Sequence, residues 1–312
     1  MRTHSLIALV CLICLCILTV STTQARTWHV PGDSPTIMAA LTVAERGDVI
    51  EMAIGRHKIA GRNHVLPPGV TIRSEFGFSR GVVLEESACY CGDWRDCPVF
   101  VLDGRCEPVV FDGITFENFT LSCGPYQAIG LPIFRVVSGE LEFVNCRFDN
   151  YFKTAISYEG GSGRFDNCEF IGGQGCASAV LFAGQNLELI NCTFRENIWL
   201  MNCDELVGSI LCLMAGETRL DNCCFADNGP LIHLVTVGPA ADLEACSTCF
   251  ADNLTMWEGL VEGQAVLDCC EIDPLLWHVV EGGELTIIDP PATNKAMSVE
   301  TASWTEVKSL FQ

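Results

Sequence analysis

One six-residue phrase recurs along this chain, and it constrains the fold more than any other feature. Phe111-Asp-Gly-Ile-Thr-Phe116, Phe143-Val-Asn-Cys-Arg-Phe148, Phe165-Asp-Asn-Cys-Glu-Phe170, Leu189-Ile-Asn-Cys-Thr-Phe194 and Leu220-Asp-Asn-Cys-Cys-Phe225 are variants of it. Two looser copies follow, Leu243-Glu-Ala-Cys-Ser-Thr-Cys-Phe250 and Leu267-Asp-Cys-Cys-Glu-Ile272. With the shared cysteine as the mark, positions 146, 168, 192, 223, 246 and 269 lie 22, 24, 31, 23 and 23 residues apart. Self-similarity at such a period marks an architecture of stacked units.

Each copy has its own local logic. A strand ends at Phe143, Phe165, Leu189 or Leu220, and Asn145, Asn167, Asn191 or Asn222 then tolerates the left-handed backbone of a sharp bend. The next strand points Cys146 and Phe148, or their equivalents, inward by the period-2 rule. About eleven residues before each Asn lies another apolar strand: Phe134/Val136, Ile156/Tyr158, Val180/Phe182 and Leu211/Leu213. The fold class is therefore all-β: a right-handed parallel β-helix with three short strands per coil of about 22–31 residues. Stacking makes Glu142, Arg164, Glu188, Arg219 and then Asp242 or Glu244 an outward ladder of alternating sign.

The ends read differently. Residues 1–25, with Arg2, an apolar run from Leu6 to Val20 and the small residues of Thr23-Gln24-Ala25, are expected to be a signal peptide. The β-helix would span 26–289, opened by a capping helix over 33–47 in which Asp33-Ser34-Pro35 starts the helix and Ile37, Ala40, Leu41 and Ala44 form its apolar stripe. Residues 290–312 form a C-terminal tail or cap, with Trp304, Val307 and Phe311 at helical spacing. Without residues 1–25 there remain 17 Lys and Arg against 39 Asp and Glu, a net −22, which repels nucleic acid. No later segment is apolar enough to span a membrane, so a secreted or cell-surface location is expected.

Trp28-His-Val-Pro-Gly-Asp-Ser-Pro-Thr-Ile-Met-Ala-Ala-Leu41, with Gly47-Asp48-Val-Ile50 and the Asn-Cys-x-Phe coils, resembles the pectin-lyase-like right-handed β-helix family of secreted bacterial proteins. The resemblance covers most of the mature chain. It implies the fold and leaves the activity open, because members include polysaccharide lyases, glycoside hydrolases, esterases and proteins without known catalysis. Lyase-type members carry an acidic calcium cluster on the outer face of the first strand of each coil. Here those positions read Arg135/Val137, Ser157/Glu159, Leu181/Ala183, Cys212/Met214 and Val235/Val237, with a single carboxylate. A calcium ion wants several oxygen ligands, so no metal or cofactor is expected. The paired carboxylates of a polygalacturonase-like hydrolase are also missing, and no catalytic residue is assigned.

Insertions collect after each Phe148-type residue. The longest, about Asn118–Leu131 and Asn197–Ser209, carry Tyr126, Trp199, Asp204 and Glu205, where an aromatic beside carboxylates suits a sugar ligand. The cysteines divide. Cys146, Cys168, Cys192, Cys223, Cys246 and Cys269 form an inward ladder of small hydrophobes. Cys176 with Cys203, Cys224 with Cys249, and the set Cys89, Cys91, Cys97 and Cys106 are disulfide candidates. His29, His57, His64, His233 and His278 show no metal-ligand spacing. The reading is an extracellular or cell-surface structural or binding module, with a polysaccharide or cell-surface component as partner. The alternative is a polysaccharide lyase or glycoside hydrolase, whose mark would be a groove holding three or more acidic groups with an Arg or Lys.

Overall fold

The computed structural model describes residues 24–77, 81–86, 98–104, 107–119, 132–151, 154–175, 179–199, 209–229, 231–272 and 274–288. All strand pairings in it are parallel and join each coil to the next. Phe134 pairs with Ile156, Ile156 with Val180 and Val180 with Leu211 in the first strand of each coil. Phe143 pairs with Phe165, then Leu189, then Leu220 in the second. Phe148 pairs with Phe170, then Phe194, Phe225 and Phe250 in the third. The third strands form an eight-stranded sheet; the first and second merge into one of 17 strands, because Val180–Ile190, Ser209–Asp221 and Leu231–Cys246 run through the corner.

The bends are where the asparagines are. Asn145, Asn167, Asn191 and Asn222 have φ of 52–54°, and Ser247 and Cys269 take the same place at 51° and 52°. The amide of Asn167 donates to Asn145 (2.8 Å) and that of Asn222 to Asn191 (2.7 Å), so the side chains bond the stack as well as the bend.

Inside, like stacks on like. The rings of Phe116, Phe148, Phe170, Phe194, Phe225 and Phe250 lie within 15° of parallel at centroid separations of 4.6–5.0 Å. Phe111, Phe143 and Phe165 form a second stack. A further column follows the next bend: Asn197 donates to Asn228 (2.9 Å) and to the Phe170 carbonyl, and Asn228 donates to Asn253 (2.9 Å) and to the Phe194 carbonyl. Gly173 has no side chain at this level, so the Tyr151 hydroxyl reaches across it to donate to Asn197 Oδ1 (2.7 Å). Asn197 is thus a buried core residue and not the start of an exposed loop.

The N-terminus departs from expectation. The helix is one turn, Ile37–Leu41, capped by Thr36, whose side chain accepts from Ala39 N. Asp33 instead accepts from the His29 amide across a turn (3.0 Å), which holds the chain out of helical geometry there. Ile37, Ala40 and Leu41 are buried in the core. Asp48 is the other organiser, accepting from the Arg26 and Glu45 amides and from the Trp28 indole (2.8–3.0 Å). Burial pushes its carboxyl upward, and these donors outweigh burial and hold it below the usual carboxylate range.

Two cysteines leave the expected inward ladder. Asp221 pairs with Cys246, so the two extra residues of that copy lie before the bend, and Thr248 takes the place equivalent to Cys223. In the next coil Cys269 is the exposed bend residue, and Cys270 turns inward to donate to the Ala245 carbonyl.

Candidate functional site

Two surfaces of the coil stack could meet a ligand, and they differ in kind. On the outer face of the first strands, Arg135 donates twice to Glu159 (2.7 Å each), which raises the guanidinium further through that hydrogen bond and leaves Glu159 paired. The face then turns apolar: Ile210, Cys212, Leu234 and Leu260, set outward by strand alternation, are buried, Ile210 and Leu234 within the hydrophobic cluster, while Met214 is exposed. Val235 and Val237, expected outward, point inward, because Thr236 is the residue that pairs with Cys212.

The outer face of the second strands is open and charged. Its first row reads Ser162, Asn186, Glu217, Asp242, Gln264 and Glu284 in successive coils; its second reads Glu142, Arg164, Glu188, Arg219, Glu244 and Val266. The second row settles the choice left by the two-residue insertion in favour of Glu244 opposite Arg219. Arg164 bridges to Glu188 (2.7 Å). Glu142, partly buried at the N-terminal end of this row, is pushed above the usual carboxylate range by burial and by Glu140 and Glu188, with Arg164 opposing.

Between the rows lies a groove of ≈ 530 Å³ lined by Asn186, Glu188, Glu217, Arg219, Asp242, Glu244 and Gln264, with Leu187, Thr218 and Leu243 as its floor. Every lining residue belongs to a strand, so the groove is as fixed as the sheet. Here the alternation of sign fails. Glu217 and Asp242 are in-register neighbours of the same charge, and among the described residues neither they nor Glu244 has an ion-pair partner. Like charges directly opposite on adjacent strands destabilise a sheet; Glu85 and Glu117 are another such pair, but Arg56 bridges both, whereas Glu217 and Asp242 have no such cation among the described residues. Four carboxylates and one arginine make up the composition expected of the alternative, a polysaccharide lyase or glycoside hydrolase. A second cleft, of ≈ 570 Å³, runs over the turns between the first and second strands, lined by Ser138, Gly139, Glu140, Gly160, Gly161, Ser162 and Gln185. Its walls are largely backbone: a Cβ on Gly161 would collide with the Gly139 carbonyl oxygen, so this column admits no side chain.

Of the residues singled out in the sequence, Tyr126, Asp204, Glu205, Cys176, Cys203, Cys89, Cys91, Cys97 and Cys106 lie outside the described residues, as do the signal-peptide core and the tail from 289 onward. Trp199 is described in its backbone, where Ile198–Trp199 pairs with Gln174–Gly175. Cys224 and Cys249 are joined by a disulfide across adjacent third strands (Cα–Cα 4.7 Å). His57 and His64 each bond a carbonyl four residues earlier, and His233 is buried in the core, where desolvation, helped by His278, pulls it down to about 4. Among the described residues no group of three or more His, Cys, Asp or Glu is placed to hold a metal ion, and no helix is long and apolar enough to cross a membrane. Asp242 was one of two candidates for the alternating row and falls beside it, while Glu217 and Gln264 had no signal in the sequence beyond their place one step from that row.

Residues 134–263 match the family model described as the right-handed beta helix region. No curated protein matches the chain in sequence. Among solved structures it is similar to a pectin methylesterase from carrot (13% identity, 92% of this chain and 91% of that one, TM-score 0.46). It is also similar to the alginate lyase AlyGC (12% identity, 90% and 40%, TM-score 0.48) and to the pectate lyase Pel9A (12% identity, 91% and 83%, TM-score 0.46).

Proposed function

We propose that this right-handed parallel β-helix of the pectin-lyase-like type is an exported binding module for a polysaccharide whose sugars are neutral or carry amino groups. The observation that supports the reading is the stacked, unpaired Glu217 and Asp242 in the groove of the second strands, flanked by Asn186 and Gln264. Carboxylates and amides on a rigid face accept from and donate to sugar hydroxyls, and the uncompensated negative charge favours ammonium groups. The same charge, on a chain of net −21, repels polyuronates such as pectate or alginate. A regular face several coils long suits an extended polymer.

The acidic groups with Arg219 also support a second reading, a glycoside hydrolase acting on the same class of sugar. One experiment addresses both. Binding of full-length protein to neutral, amino-sugar and uronate polymers is measured by calorimetry beside a reducing-end assay. The expected result is salt-sensitive binding to the amino-sugar polymer, reduced about tenfold by Glu217→Gln with Asp242→Asn, without product. Release of reducing ends would replace the module by the enzyme, and binding confined to polyuronates would overturn both.

A further inference from the structure

The cysteines at the centre of the fold support a chemistry beyond filling space. Cys146, Cys168, Cys192 and Cys223 occupy one position in four successive coils, because Arg147 pairs with Glu169, Glu169 with Thr193 and Thr193 with Cys224 in the strands they open. All four are buried and stand as free thiols in this structure, unlike Cys224 and Cys249. Each thiol donates to the carbonyl two residues earlier and to a carbonyl of the preceding coil, at 3.3–3.6 Å, so the four share one side-chain orientation. The run is closed at both ends, by Ile114 before Cys146 and by Thr248 after Cys223.

The separation across one coil step is the decisive quantity. Neighbouring parallel strands lie ~4.8 Å apart, inside the Cα range of a disulfide. One residue along the same strands, Cys224 and Cys249 make that same step at 4.7 Å and are bonded. We infer that Cys146 is disulfide-bonded to Cys168 and Cys192 to Cys223, forming two interior rungs that tie the coils in pairs. This is the pairing of neighbours that uses all four thiols. A turn about χ1 swings each sulfur from its carbonyl toward the adjacent coil.

Formation goes by exchange with a disulfide oxidant of the export pathway. One cysteine thiolate attacks the oxidant's S–S bond and releases one oxidant thiolate. The neighbouring cysteine thiolate then attacks the mixed disulfide and releases the second. Two cysteine thiols lose two electrons and two protons, and the oxidant leaves as two thiols. All four thiols are buried in the finished core, out of an oxidant's reach, so the bonds form while the coils are stacking.

The test maps the cysteines of full-length protein produced through an export pathway. The chain is unfolded with iodoacetamide and no reductant, then cut after Arg and Glu, which separates the four at Arg147, Glu169 and Arg195; Cys223 shares its peptide with Cys224, so the 192–223 link is read in Cys224→Ser with Cys249→Ser beside the wild type. Linked peptides 146–168 and 192–223, unlabelled until reductant is added, are expected. In Cys168→Ser, Cys146 becomes labelled while 192–223 stays linked. Labelling of all four in the wild type, or a 168–192 link with Cys146 and Cys223 labelled, overturns the assignment. The wild-type map decides even where the variant does not fold.

Discussion

Inside this molecule identical residues sit on one another; outside, the rows that repeat most regularly alternate in sign. Six phenylalanines, four cysteines and three asparagines stack within the coils, while Glu142, Arg164, Glu188, Arg219 and Glu244 form the outer row. One rule underlies both. At a spacing of ~4.8 Å, a neutral shape packs best on its own copy and an amide can bond its own copy, but a charge cannot. The contrast teaches where to look for function: at Glu217 over Asp242, which stack like on like without the bridging cation that Arg56 gives to Glu85 over Glu117.

Five substitutions probe that comparison, in falling order of effect. Gly161→Ala places a Cβ on the Gly139 carbonyl oxygen at a φ of 75°, so it should cost ~4 kcal/mol or more, read as a large drop in the urea midpoint. Phe170→Ala opens the ring stack at its middle and should cost roughly 3–5 kcal/mol in the same measurement, with a change of this size absent for any single surface residue.

His233 tests the interior by pH. It is held neutral, with its folded pKa lowered to about 4, below the ordinary ~6.5 of the unfolded chain. Its contribution is therefore fully present above pH ~6.5 and is lost as pH falls toward about 4, up to roughly 2–3 kcal/mol. Thermal unfolding followed from pH 7 to 4 should show that loss, and His233→Leu should remove that part of the slope. The smallest effects lie outside. Arg164→Glu puts three like charges in line with Glu142 and Glu188 and should cost only ~0.5–1 kcal/mol, fading with salt. Glu217→Lys does the reverse in the groove: it restores alternation with Asp242 and should raise stability by a few tenths of a kcal/mol while abolishing ligand binding. A loss of stability there would show that the stacked pair is structural.

Much of this was legible because a repeat of known period exposes its own register. The Asn bends, the inward phenylalanines and the outer row as far as Arg219 follow from alternation along strands. Errors arose where a coil changed length. The copy at 243–250 absorbs its extra residues before the bend, which moved Cys246 out of the core and set Glu244, not Asp242, opposite Arg219; in the copy at 267–272 Cys269 stands in the place of the bend Asn. Two signals were present and unread: Phe-x-x-Asn at 194–197, 225–228 and 250–253, which marks the buried amide column, and one glycine per coil at the corner before the second strand.

The sequence by itself determined the coil: its period, its bends and which side chains face inward, since these depend on backbone conformation and strand alternation within about 23 residues. Only the tertiary structure decided what lies beside what from one coil to the next. That is why the open groove of Glu217 and Asp242, the buried apolar outer side of the first strands and the column of thiols emerged from the stack. Each is a contact between residues some 22–31 positions apart, set by how every insertion is absorbed, and a single-residue slip would have turned each to the other face.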